Sequence, residues 1–115
     1  MENFTAVNLE LAQCLKLCAD GDKSAFTKLY KLTAPKLQAI VAGMVKSDAL
    51  AADILQSAYL SIWKKAHAFD PEKGKAFTWM LVVTRNRAYD ELRRLKRTGV
   101  TLELPENIID DLEIT

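Results

Sequence analysis

The sequence has few of the residues that would indicate a secreted, membrane-spanning or metal-binding protein. It contains two Cys and one His, which are too few to fill a tetrahedral zinc site. No apolar run approaches the roughly 20 residues that cross a bilayer, and the N-terminus lacks the charged start and apolar stretch of a signal peptide. We therefore expect a cytoplasmic protein without a membrane segment, a metal or a cofactor.

The chain also lacks the patterns that accompany catalysis. It has no nucleophile elbow, no phosphate-cradling glycine loop and no cluster of metal ligands. Its one histidine, His67, is interpreted as structural or solvent-facing. Cys14 and Cys18 stand four residues apart and would share one helix face, so a redox or metal site is the alternative to two small buried hydrophobic residues, which we favour. The sequence predicts that the protein is not an enzyme.

What is present is a composition rich in helix formers. Half of the 115 residues are hydrophobic and 27% are charged, with four Gly and three Pro, so one soluble domain is expected. Apolar residues recur at helical spacing, whereas alternating strand-like runs are scarce. The sequence predicts an all-α fold, a small bundle of four helices at about 6–19, 22–45, 47–68 and 76–96.

Helix ends are marked by local signals. Asp20-Gly21-Asp22 ends the first helix and caps the second, and Ser47-Asp48 is a good start for the third. Pro35 lies inside the second helix, where a kink or a break is expected near Leu32. The segment 70–75, with its Pro and Gly, is the clear internal loop.

Charge is distributed unevenly along the chain. All 16 Lys and Arg lie in residues 1–97 with ten of the 15 Asp and Glu, so this part carries +6. Residues 98–115 carry five acids and no Lys or Arg, and we interpret them as an acidic linker or tail. Within the basic part, residues 85–97 hold six cations against Asp90 and Glu91. A local net charge of +4 favours a polyanionic partner.

Four motifs in fixed order carry a resemblance to a known family. They read ADILQSAYLSIW at 52–63, FDPEKG at 69–74, FTWM at 77–80 and TRNRAYDELRR at 84–94. Over about residues 22–97 the chain resembles region 2 of the sigma-70 family, in its extracytoplasmic-function (ECF) branch. The resemblance implies a transcription initiation domain that binds core RNA polymerase and recognises and melts the promoter −10 element.

The resemblance assigns polymerase binding to the third helix, which in such sigma factors docks on a coiled coil of the largest subunit. Asp53, Gln56 and Leu60 stand at i, i+3 and i+7, so they share one side of that helix. A solvated helix face is the alternative reading of this spacing alone. The sequence departs from the family at Ala52 and Ser57, where acids are usual, and both departures would weaken or retune docking.

The resemblance assigns the DNA contacts to the loop and the fourth helix, which in the family hold the non-template strand with one base turned out. Asn86 and Asp90 are expected to select bases, and the loop to form the pocket for the unpaired base. A solvated basic surface is the alternative for the cations. The predicted DNA-binding residues are Phe69, Lys73, Lys75, Arg85, Asn86, Asp90, Arg93, Arg94 and Arg97.

The aromatic residues have two readings. Trp63, Phe77 and Trp79 are predicted to pack in the core, and Phe69 is balanced between packing and stacking on a base.

The family's second domain, which reads the −35 element, is absent from the sequence. Either the chain is a piece of a longer sigma factor, with 98–115 as the start of the linker, or it is a naturally short relative. We favour the first. The competing function is a helical protein-interaction module that binds polymerase or an anti-sigma protein without recognising DNA.

Overall fold

The computed structural model describes residues 2–97, and this part of the chain is helical and contains no strand. The predicted all-α fold of four helices is confirmed. Segment 98–115, predicted as an acidic linker, lies outside the described residues. The elements are α1 (Glu2–Ala19), α2 (Lys23–Val45), α3 (Asp48–Lys65), a 3-10 turn (Ala66–Ala68) and α4 (Ala76–Arg97).

The turn between α1 and α2 is formed by the residues from which it was predicted. Gly21 has φ +89°, and the N–H groups of Gly21 and Asp22 donate to the carbonyls of Cys18 and Leu17 at 2.9 and 3.0 Å. This left-handed position favours glycine. The carboxylate of Asp22 then accepts from the N–H groups of Ser24 and Ala25 and caps α2. A hydrogen bond from the Ser24 hydroxyl to the same carboxylate, at 2.7 Å, and the two backbone bonds lower the pKa of Asp22.

Helix α2 runs through Pro35 without a break, so of the kink or break predicted near Leu32 the break does not occur. Proline removes the N–H that would bond the carbonyl of Lys31, but both residues are exposed, so water can satisfy that carbonyl. Thr33 on the buried side donates its hydroxyl proton to the carbonyl of Leu29 at 2.7 Å. The solvent-facing position of Pro35 explains why one helix continues.

The core consists of two clusters that lie along the bundle. The first joins all four helices, and its fully buried members include Leu11, Leu15, Leu29, Leu37, Ile62 and Met80. The second joins the C-terminal part of α2 to α3 and α4 through Val41, Ala51, Ile54, Ala88 and Leu92. Together they fix the relative positions of α3 and α4, which carry the predicted interfaces.

The fully buried positions of α4 begin with Ala76 and Met80, which the sequence did not single out. Phe77, predicted to pack in the core, is half-buried and packs against it, as Trp63 and Trp79 do. Helix α1 packs on the start of α4, where Ala76 and Met80 face the core. In the second half, Thr84, Ala88 and Leu92 are buried.

Candidate nucleic-acid and protein interfaces

The loop between the 3-10 turn and α4 encloses a cavity of about 220 Å3. Asp70 organises the loop, because its carboxylate accepts from the N–H of Glu72 at 2.9 Å and its carbonyl accepts from the N–H of Lys73 at 3.0 Å. The cavity is lined by Ala68, Phe69, Asp70, Lys73, Gly74, Lys75, Thr78 and Trp79. Three residues predicted to touch DNA, Phe69, Lys73 and Lys75, are thus brought together at one site.

Two aromatic rings belong to this loop cavity. The rings of Phe69 and Trp79 lie 5.6 Å apart between centroids at an interplanar angle of 59°, and both are half-buried against the core. Core packing, predicted for Trp79, is therefore present, and Phe69 combines packing with a place in the cavity wall. An aromatic ring in such a wall offers a face for a planar base.

A side chain from α1 fixes the start of α4 beside the loop cavity. The side-chain oxygen of Asn8 accepts a hydrogen bond from the backbone N–H of Phe77 at 3.0 Å, and Asn8 is 9% exposed. The first N–H groups of a helix have no partner within it, so Asn8 acts as a cap supplied by a distant part of the chain. Sequence reasoning missed Asn8, because nothing local marks a contact across 69 residues.

The exposed face of α4 carries Asn86, Asp90, Arg93 and Arg97, as the helical spacing predicts. Two of these residues already interact. Arg93 donates to the carboxylate of Asp90 at 2.5 Å, and its guanidinium lies 4.3 Å from the centre of the Tyr89 ring. The carboxylate of Asp90 and the guanidinium of Arg93 are therefore already paired with each other before any DNA binds.

A second intrahelical pair reduces the charge of the same helix. Arg94 donates through Nε to Glu91 at 2.9 Å and through a terminal nitrogen to the same carboxylate oxygen, and this hydrogen bond raises the pKa of Arg94. The predicted cation Arg85 is half-buried, whereas Arg97 is exposed. The spacing of Asp90 with Arg93 and of Glu91 with Arg94 is the signal from which both pairs could have been predicted.

A second cavity, of about 490 Å3, lies between α2 and α3 and is called here the α2–α3 groove. Of the residues predicted to bind polymerase, Gln56 and Leu60 line it, whereas Asp53 is exposed outside its lining. Leu60 is 56% exposed and lines the groove together with Tyr30, which is 47% exposed. The lining consists of Phe26, Tyr30, Gln38, Ala52, Leu55, Gln56, Tyr59 and Leu60.

The α2–α3 groove has a rigid aromatic floor. Phe26 meets Tyr59 and Trp63 edge to face at 6.1 and 5.2 Å between ring centroids, and Tyr30 lies 4.8 Å from Tyr59. Trp63 packs against the core as predicted. Preformed aromatic surfaces of this kind favour binding of an apolar side chain, because they lose little conformational entropy on binding.

One contact links the two interface helices directly. Arg87 of α4 donates through Nε to the hydroxyl of Ser57 on α3, at 2.9 Å. Ser57 follows Gln56 in sequence and is half-buried, and Arg87 is exposed. Sequence reasoning counted Arg87 in the basic run but did not select it as a site residue.

A further cavity, of about 540 Å3, lies between α1 and the 3-10 turn. It shares Phe69 with the loop cavity, and its lining is mostly apolar apart from Gln13, Lys16 and His67. His67 is exposed, in agreement with its solvent-facing interpretation. The sequence predicted no site here.

The cysteines are buried, as the hydrophobic interpretation predicted. Cys14 and Cys18 are free thiols that are 4% and 3% exposed. Burial raises the pKa of Cys14, and it raises the pKa of Cys18 to about 11, so both stay protonated near neutral pH. Within residues 2–97, no three His, Cys, Asp or Glu side chains are grouped closely enough to hold a metal ion. No helix in that range is long and apolar enough to cross a membrane.

Comparison with known proteins identifies the family. Residues 29–98 match the family described as sigma-70 region 2, close to the range of about 22–97 over which the resemblance was seen. An "ECF RNA polymerase sigma factor SigK" of Mycolicibacterium vanbaalenii is 29% identical over 87 residues, which are 76% of this chain and 44% of that protein. SigK of Mycobacterium tuberculosis is 30% identical over 84 residues, or 73% of this chain and 45% of the relative.

A relative from another bacterial group gives the same assignment. An "ECF RNA polymerase sigma factor RpoE" of Cereibacter sphaeroides is 36% identical over 75 residues, which are 64% of this chain and 40% of that protein. The chain spans less than half the length of these curated relatives. Members of the family are initiation factors and not enzymes, in agreement with the sequence prediction. The chain therefore belongs to the sigma-70 family, as a region 2 domain of its extracytoplasmic-function branch.

Proposed function

We propose that this domain acts in transcription initiation by binding core RNA polymerase and by recognising and melting the promoter −10 element. The loop cavity would receive one unpaired base of the non-template strand, and the exposed face of α4 would contact the adjacent nucleotides. The α2–α3 groove and the neighbouring face of α3 would bind the coiled coil of the largest polymerase subunit. A role at the promoter would place the protein in the cytoplasm.

The observation that carries the DNA part is the position of the loop cavity at the start of the basic helix. Aromatic walls from Phe69 and Trp79 and cations from Lys73 and Lys75 surround one space with room for a planar base. A base turned out of a duplex needs such a stacking surface, and the phosphates beside it need positive charge. The arrangement therefore supports capture of a single base from an opened duplex.

The face of α4 would provide the remaining contacts. Asn86 is exposed and its amide can donate to and accept from a base edge. Arg97 is exposed for phosphate contact, and Arg93 would exchange its bond with Asp90 for a phosphate when DNA binds. Asp90 would then be released to accept from a base amino group. Base selection by Asp90 is thus coupled to phosphate contact by Arg93.

The observation that favours a protein partner is the α2–α3 groove with Leu60 at its edge. A helical surface can place an apolar side chain over the aromatic floor, while Asp53 and Gln56 supply polar contacts on the same side of α3. An anti-sigma protein that covered this groove or the face of α4 would silence the factor. The competing function, a protein-interaction module without DNA binding, uses the groove alone and leaves the loop cavity unoccupied.

The part of the relatives that the chain does not match would supply the remaining functions. We propose that residues 98–115 form the start of an acidic linker to a second domain that reads the −35 element. Recognition of a whole promoter would then need both domains, and the domain described here would bind −10 DNA weakly by itself.

Fluorescence anisotropy with a labelled non-template −10 strand tests the DNA part. We expect weak binding at low salt that falls steeply as salt rises, because phosphate contacts release counterions. Lys73→Ala/Lys75→Ala and Phe69→Ala should both weaken binding, whereas Lys23→Ala/Lys31→Ala, an equal charge loss at exposed positions of α2, should have a smaller effect. Absence of binding at low salt, or equal losses in both lysine pairs, would favour the interaction module.

Retention by purified core polymerase tests the protein part. Asp53→Ala/Gln56→Ala should reduce retention, and Leu60→Ala should reduce it through loss of apolar contact in the groove. The matched control is Gln13→Ala/Asp20→Ala, which removes the same side-chain types from exposed positions at α1 and its turn. If core polymerase does not retain the wild-type chain, this half of the proposal is wrong.

A further inference from the structure

The contact between Arg87 and Ser57 adds a positive charge to the polymerase-facing side of α3. Asp53, Gln56, Ser57 and Leu60 stand at i, i+3, i+4 and i+7, so these four residues share one helix face. The Nε of Arg87 is hydrogen-bonded to that serine at 2.9 Å. A side chain of α4 therefore extends the face that the sequence assigned to α3 alone.

The position of Arg87 around α4 separates it from the predicted DNA face. Asn86, Asp90, Arg93 and Arg97 lie along one line of the helix, whereas Arg87 is rotated about 100° from Asn86, toward α3. The second core cluster holds the neighbouring Ala88 against α3. Because α3 and α4 are packed together here, the guanidinium reaches Ser57 on the side of α3 that faces α4.

Arg87 has a neutral hydrogen-bond partner, whereas two of the cations that follow it on α4 have carboxylate partners. Arg93 and Arg94 are paired with the carboxylates of Asp90 and Glu91, whereas the partner of Arg87 in residues 2–97 is a neutral hydroxyl. A serine orients the guanidinium without neutralising it. The bond uses Nε–H and leaves both terminal nitrogens able to donate to a carboxylate in a fork.

We propose that Arg87, oriented by Ser57, binds an acidic side chain on core RNA polymerase and helps to determine which polymerase surface this domain accepts. This inference rests on the proposed binding of polymerase by α3. Charge complementarity identifies the partner group as a carboxylate, and the place of Ser57 one turn after Asp53 on α3 identifies it as part of the same bound protein. Orientation before binding lowers the entropy cost of the contact.

Three substitutions separate recognition from a structural role. Arg87→Ala should weaken binding of the chain to core polymerase about fivefold, the effect of a charged contact at an interface rim. Arg87→Glu should weaken it further by repulsion. Ser57→Ala removes the acceptor that orients Arg87 but leaves its positive charge, so it should weaken binding less than Arg87→Ala does.

A purely structural role predicts instead that Ser57→Ala and Arg87→Ala lose equal amounts of binding, because each removes one partner of the same hydrogen bond. That result would overturn the inference. Lys16→Ala serves as the matched control, since it removes one exposed cation from α1, and it should bind core polymerase like the wild type. Thermal unfolding of every variant shows that loss of binding is not loss of fold.

Binding to the single-stranded −10 oligonucleotide distinguishes protein from DNA as the partner of Arg87. Arg87→Ala should keep at least half of the wild-type affinity for this strand. If it loses as much DNA affinity as Lys73→Ala/Lys75→Ala, then Arg87 contacts phosphate and the inference is wrong. If wild type binds polymerase and the Arg87 variants bind equally well, the inference fails and the proposed function stands. If wild type does not bind polymerase, both fail.

Discussion

The phenol of Tyr59 donates a buried hydrogen bond to the hydroxyl of Thr33 and so joins α3 to α2 beneath the α2–α3 groove. The direction follows from the proton count, because the single hydroxyl proton of Thr33 goes to the carbonyl of Leu29. Tyr59 is 4% exposed, and its ring lies against Phe26 and Tyr30. The aromatic floor of the groove is thereby held by one polar contact.

Tyr59→Phe should destabilise the domain by about 1–2 kcal/mol, because it leaves the acceptor of Thr33 buried without its donor. Urea unfolding followed by circular dichroism measures this change. Tyr30→Phe is the control. Tyr30 is 47% exposed, so water can take over the contacts of its hydroxyl at little cost in stability. An equal loss of unfolding free energy in both variants would show that the bond to Thr33 does not stabilise the domain more than the exposed hydroxyl of Tyr30 does.

The same tyrosine predicts a dependence of stability on alkaline pH. Burial raises the pKa of Tyr59 to about 12, whereas in the unfolded chain it ionises near 10. The folded state favours the protonated phenol, so this contribution is complete below the unfolded pKa and is lost as pH rises from about 10 to 12. The unfolding free energy should fall more steeply over this range in wild type than in Tyr59→Phe. Parallel pH profiles would contradict the assignment.

Asn8→Ala should destabilise the domain by about 1 kcal/mol, the usual effect of losing a helix cap. The substitution should also make the first turn of α4 less stable than the rest of the domain, because the capped N–H belongs to Phe77 at the start of α4, next to the loop cavity. We expect faster amide hydrogen exchange at residues 76–79 than in wild type. Gln13→Ala, at an exposed position of the same helix, should change neither stability nor exchange.

Glu91→Gln should increase affinity for single-stranded DNA of any sequence, because it releases Arg94 for a phosphate. The slope of log affinity against log salt should become steeper by about 0.7, the value for one additional phosphate contact. Glu10→Gln gives the same change in net charge on α1, where Glu10 pairs with Lys28 at 2.9 Å, and should change the slope less. Equal slopes in the two variants would show that only net charge matters.

Local features of the fold could be predicted from the sequence because their causes are local. Gly21 and the caps Asp22 and Ser47 act within a few residues of themselves, so the helix order and most ends agree with the prediction. Of the kink or break expected near Leu32, the break does not occur, because exposure of the carbonyl that Pro35 leaves unbonded depends on which side of α2 faces solvent.

The composition of the interfaces could be predicted only in part. Sequence spacing placed Asn86, Asp90, Arg93 and Arg97 on one face, and the motif order brought Phe69 and the loop lysines to one cavity. The DNA and polymerase contacts themselves remain predictions. The bonds from Arg87 to Ser57 and from Phe77 to Asn8 join residues 30 and 69 positions apart. Such contacts depend on how helices pack, which no local pattern encodes.

The cap provided by Asn8 also sets the minimal fragment that can be expressed as a stable unit. The family match begins at residue 29, yet α1 supplies this cap and the fully buried Leu11 and Leu15. A recombinant piece trimmed to the matched range would expose the side of the core that α1 covers and would leave the first turn of α4 without its acceptor. Domain boundaries for a shortened version should therefore be chosen by packing, upstream of Asn8, and not by sequence similarity.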